Sequence, residues 1–133
     1  MKSTAARPRR PRRARVAEAL DGAQAERLAC AHLERAGLKL VTRNYRCLQG
    51  EIDLVMDDRS TLVFVEVRYR RSSAFGTPAE TVGRAKQARL RAAAGHYLVK
   101  HGVDRVCRFD VVAVSGDEPH VEWLRDAFGT VDY

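Results

Sequence analysis

The chain is 133 residues long, 45% of them hydrophobic and 31% charged, which suits one soluble globular domain with a core of its own. Its formal net charge is +7, but the excess sits in the first fifteen residues, where Lys2, Arg7, Arg9, Arg10, Arg12, Arg13 and Arg15 stand without an acid. No stretch approaches the ~20 apolar residues of a membrane span, and no signal-peptide core is present, so the expectation is a cytoplasmic protein with no membrane partner.

Residues 1–15 read as a disordered basic tail and 16–133 as a single domain. Such a tail suits phosphate backbones without sequence preference, or serves only as a solubilising leader. A transit peptide is a third option, disfavoured because Pro8 and Pro11 break the amphipathic helix it needs. From Val16 or Gly22 to Ala36 the pattern is helical, with Ala25, Leu28, Ala29, His32 and Leu33 at three- and four-residue steps; Gly37 ends it. Leu38 to Arg46 reads as a strand with Leu38, Leu40 and Thr42 on one face. Cys47 to Gly50 is a turn, Glu51 to Met56 a second strand, and Asp57 to Ser60 a tight connection. Leu62 to Arg70, rich in β-formers, is a third strand that makes a hairpin with the second. Ser72 to Pro78 is a loop. A long helix is predicted from Ala79 or Glu80 to Lys100, with Val82, Ala85, Ala88 or Arg89, Ala92, Ala93, Tyr97 and Leu98 as its apolar stripe and Gly102 closing it. Cys107 to Val114 is a fourth strand, Val121 to Leu124 a short fifth, and Asp126 to Phe128 a final turn. The order α-β-β-β-α-β-β predicts an α/β fold, a mixed sheet flanked by helices.

Cys30, Cys47 and Cys107 are odd in number, widely spaced and without a C-x-x-C pair, so they read as reduced thiols. His32, His96, His101 and His120 offer no short-spaced partners, which argues against a zinc site.

The third strand carries the chemistry. Val63, Val65, Val67 and Tyr69 form one apolar face; the other begins with Leu62 and Phe64 and turns to Glu66, Arg68 and Arg70, as a strand does when it leaves a core and enters a cleft. On the second strand Ile52 and Leu54 are expected to share one face, and Glu51 and Asp53 the other with Val55. A carboxylate at position 53, between two apolar residues, needs a cation. Pairing the strands brings Asp53 and Glu66 together, and two close carboxylates hold their charge most easily around a hard divalent ion, with the Val67 carbonyl as a further ligand. The alternative is a cross-strand ion-pair network of Asp53, Glu66, Arg68 and Arg70 with no metal. Arg68, Arg70, Arg71, Arg84, Lys86, Arg89 and Arg91 cluster around this strand and the second helix; if they face one side they form a basic patch that would hold a phosphate backbone. Tyr45, Tyr69 and Phe75 are able to stack on unpaired bases, although such aromatics more often anchor cores and loops, while Trp123 and Phe128 read as packing residues.

An acid on one strand followed by an acid-x-basic triplet on the next resembles the PD-(D/E)xK nuclease superfamily. The runs Gly50-Glu-Ile-Asp-Leu54 and Phe64-Val-Glu-Val-Arg-Tyr-Arg-Arg-Ser72, with Arg43-Asn-Tyr-Arg46, Gly76, Arg108-Phe-Asp-Val-Val112 and Ala127-Phe128, resemble the UPF0102 (YraN-type) family of small bacterial proteins over roughly residues 22 to 128. That resemblance implies a restriction-endonuclease-like fold, similar to Holliday-junction resolvases, and a Mg2+- or Mn2+-dependent endonuclease acting on nucleic acid, with DNA the expected partner and a homodimer possible by analogy. Asp53 and Glu66 match the metal-binding acids, Glu26 on the first helix matches an additional acid, and Glu51 is a weaker candidate. Arg68 stands where the superfamily has lysine. Arginine stays charged and cannot deprotonate water, though it is able to clamp a phosphate. Lys86, or Gln87 beside it, can supply the missing polar group from the second helix. The departure favours an alternative function, a catalytically inactive nucleic-acid-binding module; a protein-interaction subunit is a third.

Overall fold

A computed structural model describes residues 21–70, 82–116 and 120–130. The basic tail, Arg71, Phe75 and the whole of the predicted 72–78 loop therefore lie outside the described residues. In chain order the elements are α1 (Gly22–Arg35), β1 (Lys39–Cys47), β2 (Gly50–Asp58), β3 (Thr61–Arg70), α2 (Arg84–His101), β4 (Val106–Ser115) and β5 (His120–Phe128). They form one mixed sheet in the order β1-β2-β3-β4-β5. The first three strands and the last pair are antiparallel, while β3 and β4 run parallel. A parallel pair needs a long crossover, and α2 is that crossover.

The two helices cover opposite faces. On one, Ala25, Ala29, Cys30 and Leu33 of α1 pack on Leu54, Met56, Val63, Val65, Val112 and Val114. On the other, Leu90, Ala93, Ala94 and Tyr97 of α2 pack on Ile52, Val55, Leu62, Phe64, Phe109 and Val111. Each large aliphatic side chain buried this way contributes about 1.5–3 kcal/mol. The central strand β3 is covered on both sides, which is why Leu62 to Val65 form an unbroken apolar run.

α1 begins where Asp21 accepts a hydrogen bond from the Gln24 N–H at 2.9 Å, an N-cap that favours Gly22 over Val16 as the start. α2 starts at Arg84, not Ala79 or Glu80, because Gly83 is extended and Val82 is not helical. Its core stripe is Leu90, Ala93, Ala94 and Tyr97, whereas Ala85, Ala88 and Ala92 face solvent. Five alanines and five Lys or Arg residues give this helix little apolar contrast, so periodicity finds only part of its face: Ala93, Tyr97 and Leu98 of the expected stripe do pack on the core.

Three departures from simple alternation shape the strands. A bulge between Leu40 and Thr42 pairs them with the adjacent residues Met56 and Val55, so they lie on opposite faces instead of sharing one. Asp57 and Asp58, predicted in the turn, are still paired with Leu62 and Thr61, leaving only Arg59 and Ser60 at the hairpin tip. β5 continues through the predicted final turn to Phe128. Asp126 takes a left-handed conformation at φ 52°, and a register shift between Phe109 and Val111 accommodates it.

That last irregularity is held by Asp110, whose side chain has no solvent exposure. Its carboxylate accepts from Arg108 Nε at 3.0 Å, Trp123 Nε1 at 2.9 Å and the Asp126 N–H at 2.9 Å. Arg108 also reaches Asp58 at 2.9 Å. Burial alone would lower the Arg108 pKa, but the bonds and charges of Asp110 and Asp58 outweigh it and hold the guanidinium above its ordinary value. Removing the carboxylate leaves Arg108 with Asp58 alone and takes the acceptor from the Trp123 and Asp126 N–H groups. Asp110→Ala is therefore expected to cost about 3–5 kcal/mol, read as a fall in the urea midpoint; an unchanged midpoint would show that the network adds nothing to stability.

Candidate functional site

The site begins where β2 and β3 stop pairing. Their ladder runs from Asp58↔Thr61 to Leu54↔Val65 and ends there. One residue beyond, the carboxylate of Asp53 takes over the ladder's part: its Oδ2 accepts the Val67 backbone N–H at 2.8 Å. The alternation of β2 breaks at the same point. Ile52 packs in the α2-side core and Leu54 in the α1-side core, so the two do not share a face as expected. Across the β1–β2 ladder, Asn44 lies between the paired residues Arg43↔Leu54 and Tyr45↔Ile52, with φ 55°. Asparagine is among the few residues that tolerate this left-handed state, and the twist it introduces fits the change of face on β2.

Glu66 arrives from β3, on the face that α2 covers, with only 5% of its side chain exposed. Lys86 Nζ from the first turn of α2 stands 3.6 Å from its Oε2, and Arg68 3.4 Å. Burial, and then the neighbouring Asp53, push the Glu66 pKa up to about 7 against the opposing pull of Lys86 and Arg68. Burial also raises Asp53, opposed first by the Val67 N–H and then by a hydrogen bond with Glu66. The two carboxyls thus share a proton when no other cation joins them.

Two more acids surround the pair. Glu26, half-buried on α1, is raised by its burial and then by Asp53, and is opposed by a hydrogen bond from Asn44. Glu51 raises both Asp53 and Glu26 and is itself paired with Arg46 at 3.1 Å. The helices bearing Glu26 and Lys86 cover opposite faces, and Asp53 stands between them where the strands separate. Asn44 is the site residue that pattern reading missed. The available signal was an asparagine inside a strand, where that residue is depleted.

The predicted cations do not all converge. Arg68 and Lys86 do. Arg70 pairs with Glu122 of β5 at 2.8 Å. Arg84 and Arg89 are exposed on α2, and Arg71 lies outside the described residues. Arg91 points toward the far side of α2, near the Phe128 ring and the Gly129 carbonyl. Gln87 donates to the Val82 carbonyl at 2.9 Å and steadies the entry to α2. Tyr45 is an anchor: its hydroxyl meets His96 Nδ1 at 2.6 Å and its ring abuts Tyr97. Trp123 packs edge-on to His32.

Among the described residues no group of three or more His, Cys, Asp or Glu side chains forms a ready-made metal cage. Magnesium does not need one, since it is commonly held by one or two carboxylates with water completing its shell. Asp53 and Glu66 fit that donor set. The Val67 N–H already meets Asp53, and the N–H and C=O of one strand residue project from the same edge, so its carbonyl would be a third oxygen on that side. The raised Glu66 pKa shows that burial, and then Asp53, disfavour its charge by more than Lys86 and Arg68 favour it.

The model of the family described as Uncharacterised protein family UPF0102 matches residues 25–114. A UPF0102 protein of Nitrosococcus oceani is 53% identical over 111 residues, 80% of this chain and 90% of the relative. One from Nitrosomonas europaea is 50% identical over 108 residues, covering 80% and 92%. One from Coxiella burnetii is 49% identical over 108 residues, covering 80% and 89%.

With metal absent, Glu66 is protonated when folded below about 7 but ionised when unfolded above its ordinary 4.5. The folded state then binds more protons, so stability falls as pH rises through that window, by a few kcal/mol, and levels off above it. Urea unfolding in chelator should show this decline for the wild type and a flatter profile for Glu66→Gln; a wild-type curve that rises between about pH 5 and 7 would contradict the assignment.

Proposed function

The chain belongs to the UPF0102 family, and from the geometry of its acidic site we propose that it is a nucleic-acid-binding protein that hydrolyses DNA phosphodiesters as a metal-dependent endonuclease. The observation that carries this reading is the convergence of Asp53 and Glu66 beside Lys86, at a place where the sheet opens. Structural acids elsewhere in the fold are matched by arginines, as Asp110 and Asp58 are by Arg108. Perturbed carboxylates in an opening point to function instead.

Asp53, Glu66 and the Val67 carbonyl would hold magnesium, or manganese in its place, and Glu26 would bear on the ion from α1. The bound ion supplies a Lewis acid to a phosphodiester. Arg68 stays charged and grips the phosphate. Lys86 shares Glu66 with Arg68 and, unlike arginine, is able to give up a proton and accept one from an attacking water. The lysine absent from the β3 triplet is thereby supplied from α2. Exposed Arg84 and Arg89 on the same helix extend the cationic surface for the DNA backbone. The basic N-terminal tail adds attraction without sequence preference. A homodimer belongs to the same reading.

Among the described residues no helix is long and apolar enough to cross a membrane. Cys30, Cys47 and Cys107 are free thiols, which supports a reducing compartment, the cytoplasm.

Arg68 in place of lysine favours a second reading, a binding module that does not turn over, and one assay separates the two. Incubation with branched, single-stranded and duplex DNA and magnesium should give cleavage that Asp53→Ala and Glu66→Ala abolish. Lys86→Ala should lower the rate by about 10²- to 10⁴-fold while keeping most of the affinity. Salt-sensitive binding with no cleavage would sink the enzyme and leave the module; no binding would sink both. Magnesium should also raise the melting temperature more at pH 8 than at pH 5, and Asp53→Asn should remove the difference.

A further inference from the structure

The hairpin joining β1 to β2 breaks a local rule. Its two-residue tip is Leu48 and Gln49, closed by the Cys47↔Gly50 pair. Such tips ordinarily carry glycine, asparagine or aspartate; the β2–β3 hairpin, turning on Arg59 and Ser60, departs from this as well but with polar residues. Leu48 is instead fully exposed, at 102% of its reference area. Scattered exposed leucines are ordinary; this one is set apart by its place at a tip that the fold holds still. Cys47 packs against the α2-side core and its thiol meets the Gly50 carbonyl at 3.6 Å. Gly50 lies so close to α2 that a Cβ there would stand 3.3 Å from the Arg89 carbonyl oxygen. Tyr45 ties β1 to α2 through His96. The hairpin is thus seated on the helix and its leucine points outward.

Its surroundings are cationic and lead to the acids. Arg89 lies beneath the tip, Arg46 beside it pairs with Glu51 at 3.1 Å, and Lys100 lies over the Tyr45 ring further along α2. Glu51 follows within three residues and Asp53 within five on the same strand, a span of roughly 16 Å. That equals about five nucleotide steps along one DNA strand. An apolar side chain projecting beside cationic ones is an arrangement by which proteins enter a base step and unstack it.

We propose that Leu48 is a wedge that enters a base step at a discontinuity in DNA, a fork or a branch, and so selects branched over continuous duplex for the adjoining acidic site. This rests on the nucleic-acid reading of that site. Unstacking costs least where stacking is already interrupted, so a wedge favours forks and adds little on intact duplex.

The test uses the full chain in chelator, with a forked DNA carrying 2-aminopurine at the branch and a duplex of matched length. The wild type should bind the fork about tenfold more tightly and raise the 2-aminopurine fluorescence. Leu48→Gln, at an exposed position that leaves folding intact, should lose both effects while duplex affinity stays within about twofold. Leu48→Phe should retain them. If Leu48→Gln binds duplex normally and keeps its fork preference and fluorescence rise, the wedge is overturned and the nucleic-acid reading stands. The wedge is equally overturned if the loss of fork binding accompanies conversion of a wild-type dimer to monomer in gel filtration, since Leu48 would then join two copies of the chain. If the wild type binds neither DNA, the parent reading falls and the wedge with it.

Discussion

The site depends on a sheet that stops pairing at a chosen place. β2 and β3 form a regular ladder as far as Leu54↔Val65, and the next N–H on β3 that faces β2, that of Val67, goes to a side chain instead of a backbone carbonyl. A buried amide without a partner would cost about 1–3 kcal/mol, so the carboxylate of Asp53 satisfies a structural need as it takes up its place near Glu66. Asn44, in the left-handed state opposite, reverses the faces of the strand. The same irregularity that lets Ile52 and Leu54 serve different cores opens the space in which acids from both sides of the sheet meet.

Electrostatics distinguish this opening from the rest of the molecule. At the far end of β2, Asp57 is met by Arg105 and Asp58 by Arg108. Asp110, fully buried, is met by a guanidinium, an indole N–H and a backbone N–H together. Those acids are balanced and structural. Around Asp53 the balance tips the other way. Glu26, Glu51 and Glu66 crowd one carboxylate, and Lys86 and Arg68 offset only part of the charge. Desolvation and like charge act in the same direction there, an environment that disfavours ionisation and costs the protein stability. The Leu48 tip lies on the strand that leads into this opening, seated on the helix that brings Lys86 to it.

The order of the elements and most of their extents were legible because the signals were strong and local. α1 shows clear three- and four-residue periodicity with Gly37 at its end, and β3 alternates cleanly between Val63-Val65 and Leu62-Phe64. The core face of α2 is legible only in part: Ala93, Tyr97 and Leu98 of its expected stripe pack on the sheet, whereas Ala85, Ala88 and Ala92 are exposed and Leu90 takes their place, because alanines offer little contrast with the aliphatic stems of the basic residues beside them. β5 was read short because Asp126 looks like a turn residue, and it is one locally, yet the strand continues past it once Asp110 holds its N–H. Arg70 was placed with the basic patch by its neighbours in sequence, but Glu122, fifty-two residues away, claims it.

The sequence by itself determined which residues are chemically suited to the site. An acid at position 53, an acid-x-basic triplet from Glu66 to Arg68, and β-formers around both are properties of local pattern, and they survive folding unchanged. Only the tertiary structure decided which groups meet. Lys86 and Arg89 differ by three positions on one helix, yet one reaches Glu66 and the other lies under the β1–β2 hairpin. That choice follows from the angle at which α2 crosses the sheet, a consequence of packing Leu90, Ala93 and Tyr97 against β2, β3 and β4. Distances between side chains remote in sequence are set by the core as a whole, and no window along the chain contains them.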